Sequence, residues 1–266
     1  MKRIALIACL LLAGTALAVD VVLDFDYTVD GTNVVLGRVY TADGTTVVLD
    51  PPTTAYPYDV FYLFSADPTN ASAPIINSGT SGTNGVNGAG ALALTWTDST
   101  YVNSDGGDYG SCGYVTTNWS ALTCAAWVRW SASSGDNAAV GKWNTGSKRT
   151  WALYRAGASI YFGVSPDGLF GAGKLATSAY GVSNTWTHLA GTWEAAGNSK
   201  LYINGVHVAT SAETSASMFQ SNVPEEVGRF NNAIYYHSGD IDDVLIDDTV
   251  LSDTTISNLW YAGRSD

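Results

Sequence analysis

Apolar and polar positions alternate in pairs along most of this chain. From Val21, the stretch VVLDFDYTVDGTN puts Val21, Leu23, Phe25, Tyr27 and Val29 on one side of an extended strand and Asp24, Asp26 and Thr28 on the other. The phrase returns as VVLGRVYTADGTT and starts again as VVLD, so Val21, Val34 and Val47 recur at one spacing. Two Asp-Gly turns between these copies predict a three-strand meander over residues 19–50. Pro51, Pro52 and Pro57 interrupt the pattern and predict a short stiff linker over 51–57.

Beyond the linker DVFYLF reads as a strand, and the Gly-, Asn-, Ser- and Thr-rich stretch from Asn70 to Gly90 as a surface loop. A series of short strands follows: TCAAWVRW, AAVGKW, TWALYR, SIYFGV, WTHLAGTW, KLYINGVHVAT and DIDDVLID. Only Asp253 to Tyr261 has helical spacing. Many short strands with frequent turn signals predict an all-β sandwich or barrel over residues 58–266.

Composition sharpens this picture. With 46% hydrophobic and 14% charged residues the chain has ample material for one large core. Lys2 and Arg3, the apolar run Ile4 to Ala13 and the small-x-small triplet Ala16-Leu17-Ala18 read as a signal peptide over 1–18, which predicts export. Leu6-Ile7-Ala8-Cys9 has the composition of a lipoprotein box, but the apolar run continues past Cys9, which favours cleavage after Ala18 over lipidation. No later stretch is long and apolar enough to span a bilayer.

Removing Lys2 and Arg3 with the leader takes the net charge from −12 to −14. Such a chain repels phosphate backbones, so nucleic acid is a poor partner. Only Glu194, Glu213, Glu225 and Glu226 of its 24 acidic residues are Glu, and the Asp residues suit turns or a hard cation. Cys112 and Cys124 remain after cleavage, and an even pair in an exported chain predicts a disulfide between adjacent strands.

WTHLAGTW, a turn at Ala195 to Ser199, and KLYINGVHVAT resemble the most recognisable stretch of laminin G-like (concanavalin A-like lectin/glucanase) jelly-roll domains. Trp186, His188 and Ala190 are expected on one face, with Leu201 and Ile203 covering them and Asn204-Gly205 supplying the bend. LTCAAWVRW resembles the family's first long core strand and GDIDDVLIDDTVLS its last, so the resemblance runs from about residue 58 to 263. It implies calcium at the sandwich rim, held by Asp242 with Asp105 or Asp108 from SDGGDYG.

The same fold carries glycoside hydrolases, which need two carboxylic acids flanking the scissile bond. The Glu-x-Asp-x-Glu strand of the laminarinase-like enzymes is missing, Glu194 stands alone, and adjacent Glu225 and Glu226 must face opposite ways in a strand. The expectation is therefore a secreted non-catalytic module that binds polysaccharide or glycan. Its ligand groups would come from Asn231, Asn232, Tyr235, Tyr236 and His237 in one loop and from Trp143 in the hairpin GKWNTGSKRTW. The alternative is a structural surface protein in which the meander pairs with another subunit or surface protein.

Overall fold

The computed structural model describes residues 21–22, 40–41, 60–62, 86–87, 95–97, 101–230 and 235–262. The chain divides into two compact units, residues 1–54 and 55–266. In the first, β1 (Val21–Val22) pairs antiparallel with β2 (Tyr40–Thr41), Val21 opposite Thr41. The predicted leader, the linker and the rest of the meander lie outside the described residues.

The second unit is the expected antiparallel jelly-roll sandwich. In chain order its early strands are β3 (Val60–Tyr62), β4 (Val86–Asn87), β5 (Thr95–Thr97), β6 (Tyr101–Asp105) and β7 (Gly110–Gly113). The long central strands follow: β8 (Ala121–Trp130), β9 (Asn137–Asn144), β10 (Lys148–Ala156) and β11 (Ser159–Val164). Then come β12 (Leu175–Ala179), β13 (Thr187–Glu194), β14 (Gly197–Ile203), β15 (Val206–Ser215), β16 (Glu225–Val227) and β17 (Ser238–Asp247). One sheet has the order β12-β11-β10-β9-β16-β7-β4 and the other β15-β14-β13-β8-β17-β6-β5, with β3 also pairing β17.

Between the sheets Leu122, Val128 and Trp130 of β8 meet Trp151 and Leu153 of β10, Phe162 of β11 and Ile241 of β17 in one buried cluster. Gly191 permits a close approach between the sheets, because a Cβ there would collide with the ring of Phe162. Two smaller clusters cover the outer faces. Ala138, Trp143, Ala152, Tyr154 and Phe230 pack outside the seven-stranded sheet. Outside the other sheet, Ala125, Ala190, Tyr202 and Leu245 are covered by Ile256 of α1 (Asp253–Ala262). Ser252 caps α1, accepting from the Thr255 amide at 3.1 Å, and Asp253 accepts from the Tyr202 hydroxyl at 2.7 Å.

Asn204 and Gly205 form the expected positive-φ bend between β14 and β15, at +50° and +74°. The facing of the preceding hairpin differs from expectation. Leu189 pairs with Ile203 and Gly191 with Leu201, so those side chains share the core, while Ala190 pairs with Tyr202 on the outer face.

The predicted Cys112–Cys124 disulfide is not formed in this structure. Cys112 belongs to β7 of the seven-stranded sheet and Cys124 to β8 of the eight-stranded one, and no bond joins them. Both side chains are buried in the core between the two sheets. Burial pushes the Cys124 thiol well above its ordinary pKa, so it behaves as a small core hydrophobe.

Candidate functional site

The outer face of the eight-stranded sheet is covered by α1 at one end and carries polar side chains at the other. Alternation places them: Val102, Val128 and Ile241 point into the core, so Asn103, Arg129 and Asp240 point out from three neighbouring strands. Asp240 is the register partner of both Asn103 on β6 and Arg129 on β8. Asn103 Nδ2 donates to Asp240 Oδ1 at 2.7 Å, and Arg129 Nε donates to Oδ2, also at 2.7 Å. Arg129 Nη2 donates to the Tyr101 hydroxyl at 3.0 Å. Burial pulls down the guanidinium pKa, but the hydrogen bond and charge of Asp240 outweigh this and hold it above its ordinary value.

Two aromatic rings complete the corner. The Arg129 guanidinium lies 5.1 Å from the Tyr101 ring centroid and 5.0 Å from that of Trp186, and the rings meet edge to face at 5.3 Å. Beside them is an open hollow of about 220 Å³ lined by Asn103, Arg129, Ser131, Asn184, Gly239 and Asp240. Gly239 sets its floor. Its φ is +132°, and a Cβ at this position would collide with the Arg129 carbonyl oxygen, so only glycine lets β17 run this close to β8.

Of the residues expected to bind ligand, Trp143, Tyr235, Tyr236 and His237 do not line this hollow. Trp143 is buried at 6% exposure, with its ring centroid 6.2 Å from that of Phe230 and 6.4 Å from that of Tyr154. Tyr235 stands edge-on to Tyr154 at 5.6 Å in the same outer cluster of the seven-stranded sheet. Tyr236 accepts from Arg229 Nη1 at 3.5 Å. His237 is fully buried, with its ring nitrogens 3.3 and 3.1 Å from the carbonyls of Ala138 and Asp240, and burial lowers its pKa to about 4. Asn231 and Asn232 lie outside the described residues.

Of the aspartates expected to hold calcium, Asp105 and Asp242 stand apart in the strand register. Asp105 is paired with Ser238, so Asp242 lies four residues further along β17, a separation of about 13 Å at the rise of a strand. Asp108 Oδ2 accepts from the Asp105 amide at 3.1 Å, and burial raises its pKa against that hydrogen bond. Asp242 pairs in register with Trp127, and its Oδ1 accepts from the Asp243 amide at 2.9 Å. Among the described residues no three His, Cys, Asp or Glu side chains are grouped to hold a metal ion.

Glu225 and Glu226 are each held in an ion pair. Glu225 lies 3.4 Å from Lys142 Nζ and accepts from the Val115 and Thr116 amides. Glu226 receives both Nε and Nη2 of Arg229, at 3.1 and 2.7 Å.

Residues 104–257 match the family described as the concanavalin A-like lectin/glucanases superfamily. Among curated proteins, none matches the chain in sequence. The binding domain of botulinum neurotoxin serotype D is similar in structure with a TM-score of 0.58 and 17% identity, over 78% of this chain and 52% of that one. The botulinum neurotoxin DC binding domain, solved in complex with SialylT, has a TM-score of 0.50 and 15% identity over 70% and 48%. Domain 4 of AbnA, an extracellular arabinanase from Geobacillus stearothermophilus, solved with arabinotriose, has a TM-score of 0.53 and 15% identity over 77% and 99%. The chain thus spans about half of the neurotoxin binding domains and nearly all of the arabinanase domain. At these identities the likeness is one of fold.

Proposed function

The chain belongs to the concanavalin A-like lectin/glucanases superfamily, and from that premise we propose that it is an exported, non-catalytic carbohydrate-binding module. The observation that carries this reading is the corner in which Tyr101 and Trp186 flank the Arg129–Asp240 pair beside an open hollow. Sugars present apolar C–H faces that stack on aromatic rings and hydroxyls that both donate and accept, and the corner offers both kinds of partner. An arabinanase domain of this fold solved with arabinotriose supports the same reading.

Non-catalytic binding is favoured by what the carboxylates do. Glycoside hydrolysis needs one acid and one base facing each other across the sugar. Asp240 is instead committed to Arg129 and Asn103, while Glu225 and Glu226 are held by Lys142 and Arg229. The stacking and hydrogen-bonding groups of the corner need no ion to meet a sugar.

The test is an oligosaccharide array followed by calorimetry on the best binder, with wild type and Trp186→Ala compared at equal folding. Trp186→Ala is expected to weaken binding about five- to tenfold, the worth of one stacking contact. Unchanged affinity in that variant, or release of reducing sugar by the wild type, overturns the reading.

A further inference from the structure

The chemistry of the corner goes further than sugar binding in general, and the inference rests on the carbohydrate-binding reading above. We propose that the hollow selects neutral glycans and rejects carboxylated or sulfated ones, because its one cation is already neutralised by Asp240. A receptor for acidic sugars keeps an arginine fork open for the incoming anion. Here Nε of Arg129 is spent on Asp240 Oδ2 and Nη2 on the Tyr101 hydroxyl. The remaining lining residues, Asn103, Ser131, Asn184 and Gly239, carry no charge. The site itself therefore has no net charge, inside a chain whose net charge is −12.

An anionic ligand would lose its hydration shell and find no cation free to replace it. A pair of neighbouring hydroxyls needs no counter-ion and can exchange hydrogen bonds with the uncharged polar side chains of the lining, Asn103, Ser131 and Asn184. The size of the hollow fits a short epitope. At about 220 Å³ it is smaller than the roughly 300–1,000 Å³ of sites that enclose drug-sized ligands, so it takes about one sugar ring.

The experiment compares arabinotriose and xylotriose, which are neutral, with trigalacturonate, which carries three carboxylates, by calorimetry on the full chain and on Asp240→Asn. The wild type is expected to bind at least one neutral trisaccharide ten times or more tighter than the acidic one, with affinity unchanged between about 0.05 and 0.5 M salt. Asp240→Asn frees the Arg129 charge and is expected to gain trigalacturonate affinity at least tenfold, a gain that salt removes. Tighter binding of trigalacturonate by the wild type overturns the inference and leaves the carbohydrate-binding reading intact. Binding of none of the three, with no hit on the array, overturns both. Failure of Asp240→Asn to gain acidic binding while folded overturns the assigned role of Asp240. Should the variant not fold, the wild-type ligand ratio and its salt dependence decide alone.

Discussion

Asp240 and Arg129 face each other as register partners on β17 and β8, joined by a 2.7 Å ion pair that is one-third exposed on the arginine side and nearly buried on the aspartate side. The closeness of the two strands depends on Gly239, the neighbour of Asp240. Gly239→Ala would place a methyl group against the Arg129 carbonyl at a φ of +132°, where L residues are strained. It is expected to lower stability by about 2 kcal/mol or more and to weaken glycan binding together with it. Urea unfolding of the variant checks this, and a midpoint equal to wild type would mean that β17 moves away without cost.

Much of the sandwich was legible because the strands carry period-two signals and the turns carry the right residues, as at Asn204-Gly205. The inward face was harder to read. In β8, Leu122 to Val128 are all buried, since α1 and the outer cluster cover one side and the core the other. With apolar residues on both faces, alternation does not say which face is inside, and the β13–β14 facing slipped by one residue. Trp143 and Tyr235 were visible as aromatics, but their packing on Tyr154 and Phe230 depends on contacts distant in sequence. Arg129 left a signal that sequence reasoning passed over, a lone cation inside an apolar strand that demands an acidic partner. Its pairing with Asp240 needed the register of β8 against β17, which no local pattern contains.

The buried pair Lys142–Glu225 is a stability element. Their side chains are 2% and 0% exposed, and Lys142 also donates to the Thr116 carbonyl at 2.9 Å. Glu225→Ala strands the lysine charge and is expected to cost about 3–5 kcal/mol, whereas Lys142→Met with Glu225→Leu should recover most of that loss. Thermal unfolding of the single and double variants measures both. A double variant as unstable as the single one would show that the amides of Val115 and Thr116, and not the stranded charge, dominate the cost.

Acid should destabilise the fold through two buried histidines. Burial lowers the pKa of His188 to about 3 and that of His237 to about 4, while an imidazole in the unfolded chain titrates near 6.5. Below about pH 6.5 the unfolded chain binds protons that the folded one excludes, so stability falls as pH drops, toward pH 4 for His237 and pH 3 for His188. His188 Nδ1 is buried without a hydrogen-bond partner, and its ring lies 5.3 Å from Trp127, so His188→Phe keeps the packing and removes the titration. The urea midpoint measured from pH 7.5 to 4.5 is expected to fall less steeply in His188→Phe than in wild type. Parallel curves would assign the acid loss to other groups.

The family resemblance put calcium on Asp242, and the register of β6 and β17 makes that assignment testable. Asp105 faces Ser238 at one end of the pairing, while Asp242 stands four residues on, beside Trp127, with its Oδ1 turned to the amide of Asp243. Strand positions about 13 Å apart favour separate roles for Asp105 and Asp242 over one shared ion, whose ligands stand about 2.3–2.6 Å away. An ion that binds only the folded state raises its melting temperature by mass action, so a calcium titration followed by thermal unfolding reads the site directly. Wild type and Asp242→Asn are expected to respond to calcium and to chelator identically. A calcium-induced rise in melting temperature that vanishes in Asp242→Asn and in Asp108→Asn alike would place both residues on one ion, and would require β17 to shift its register against β6.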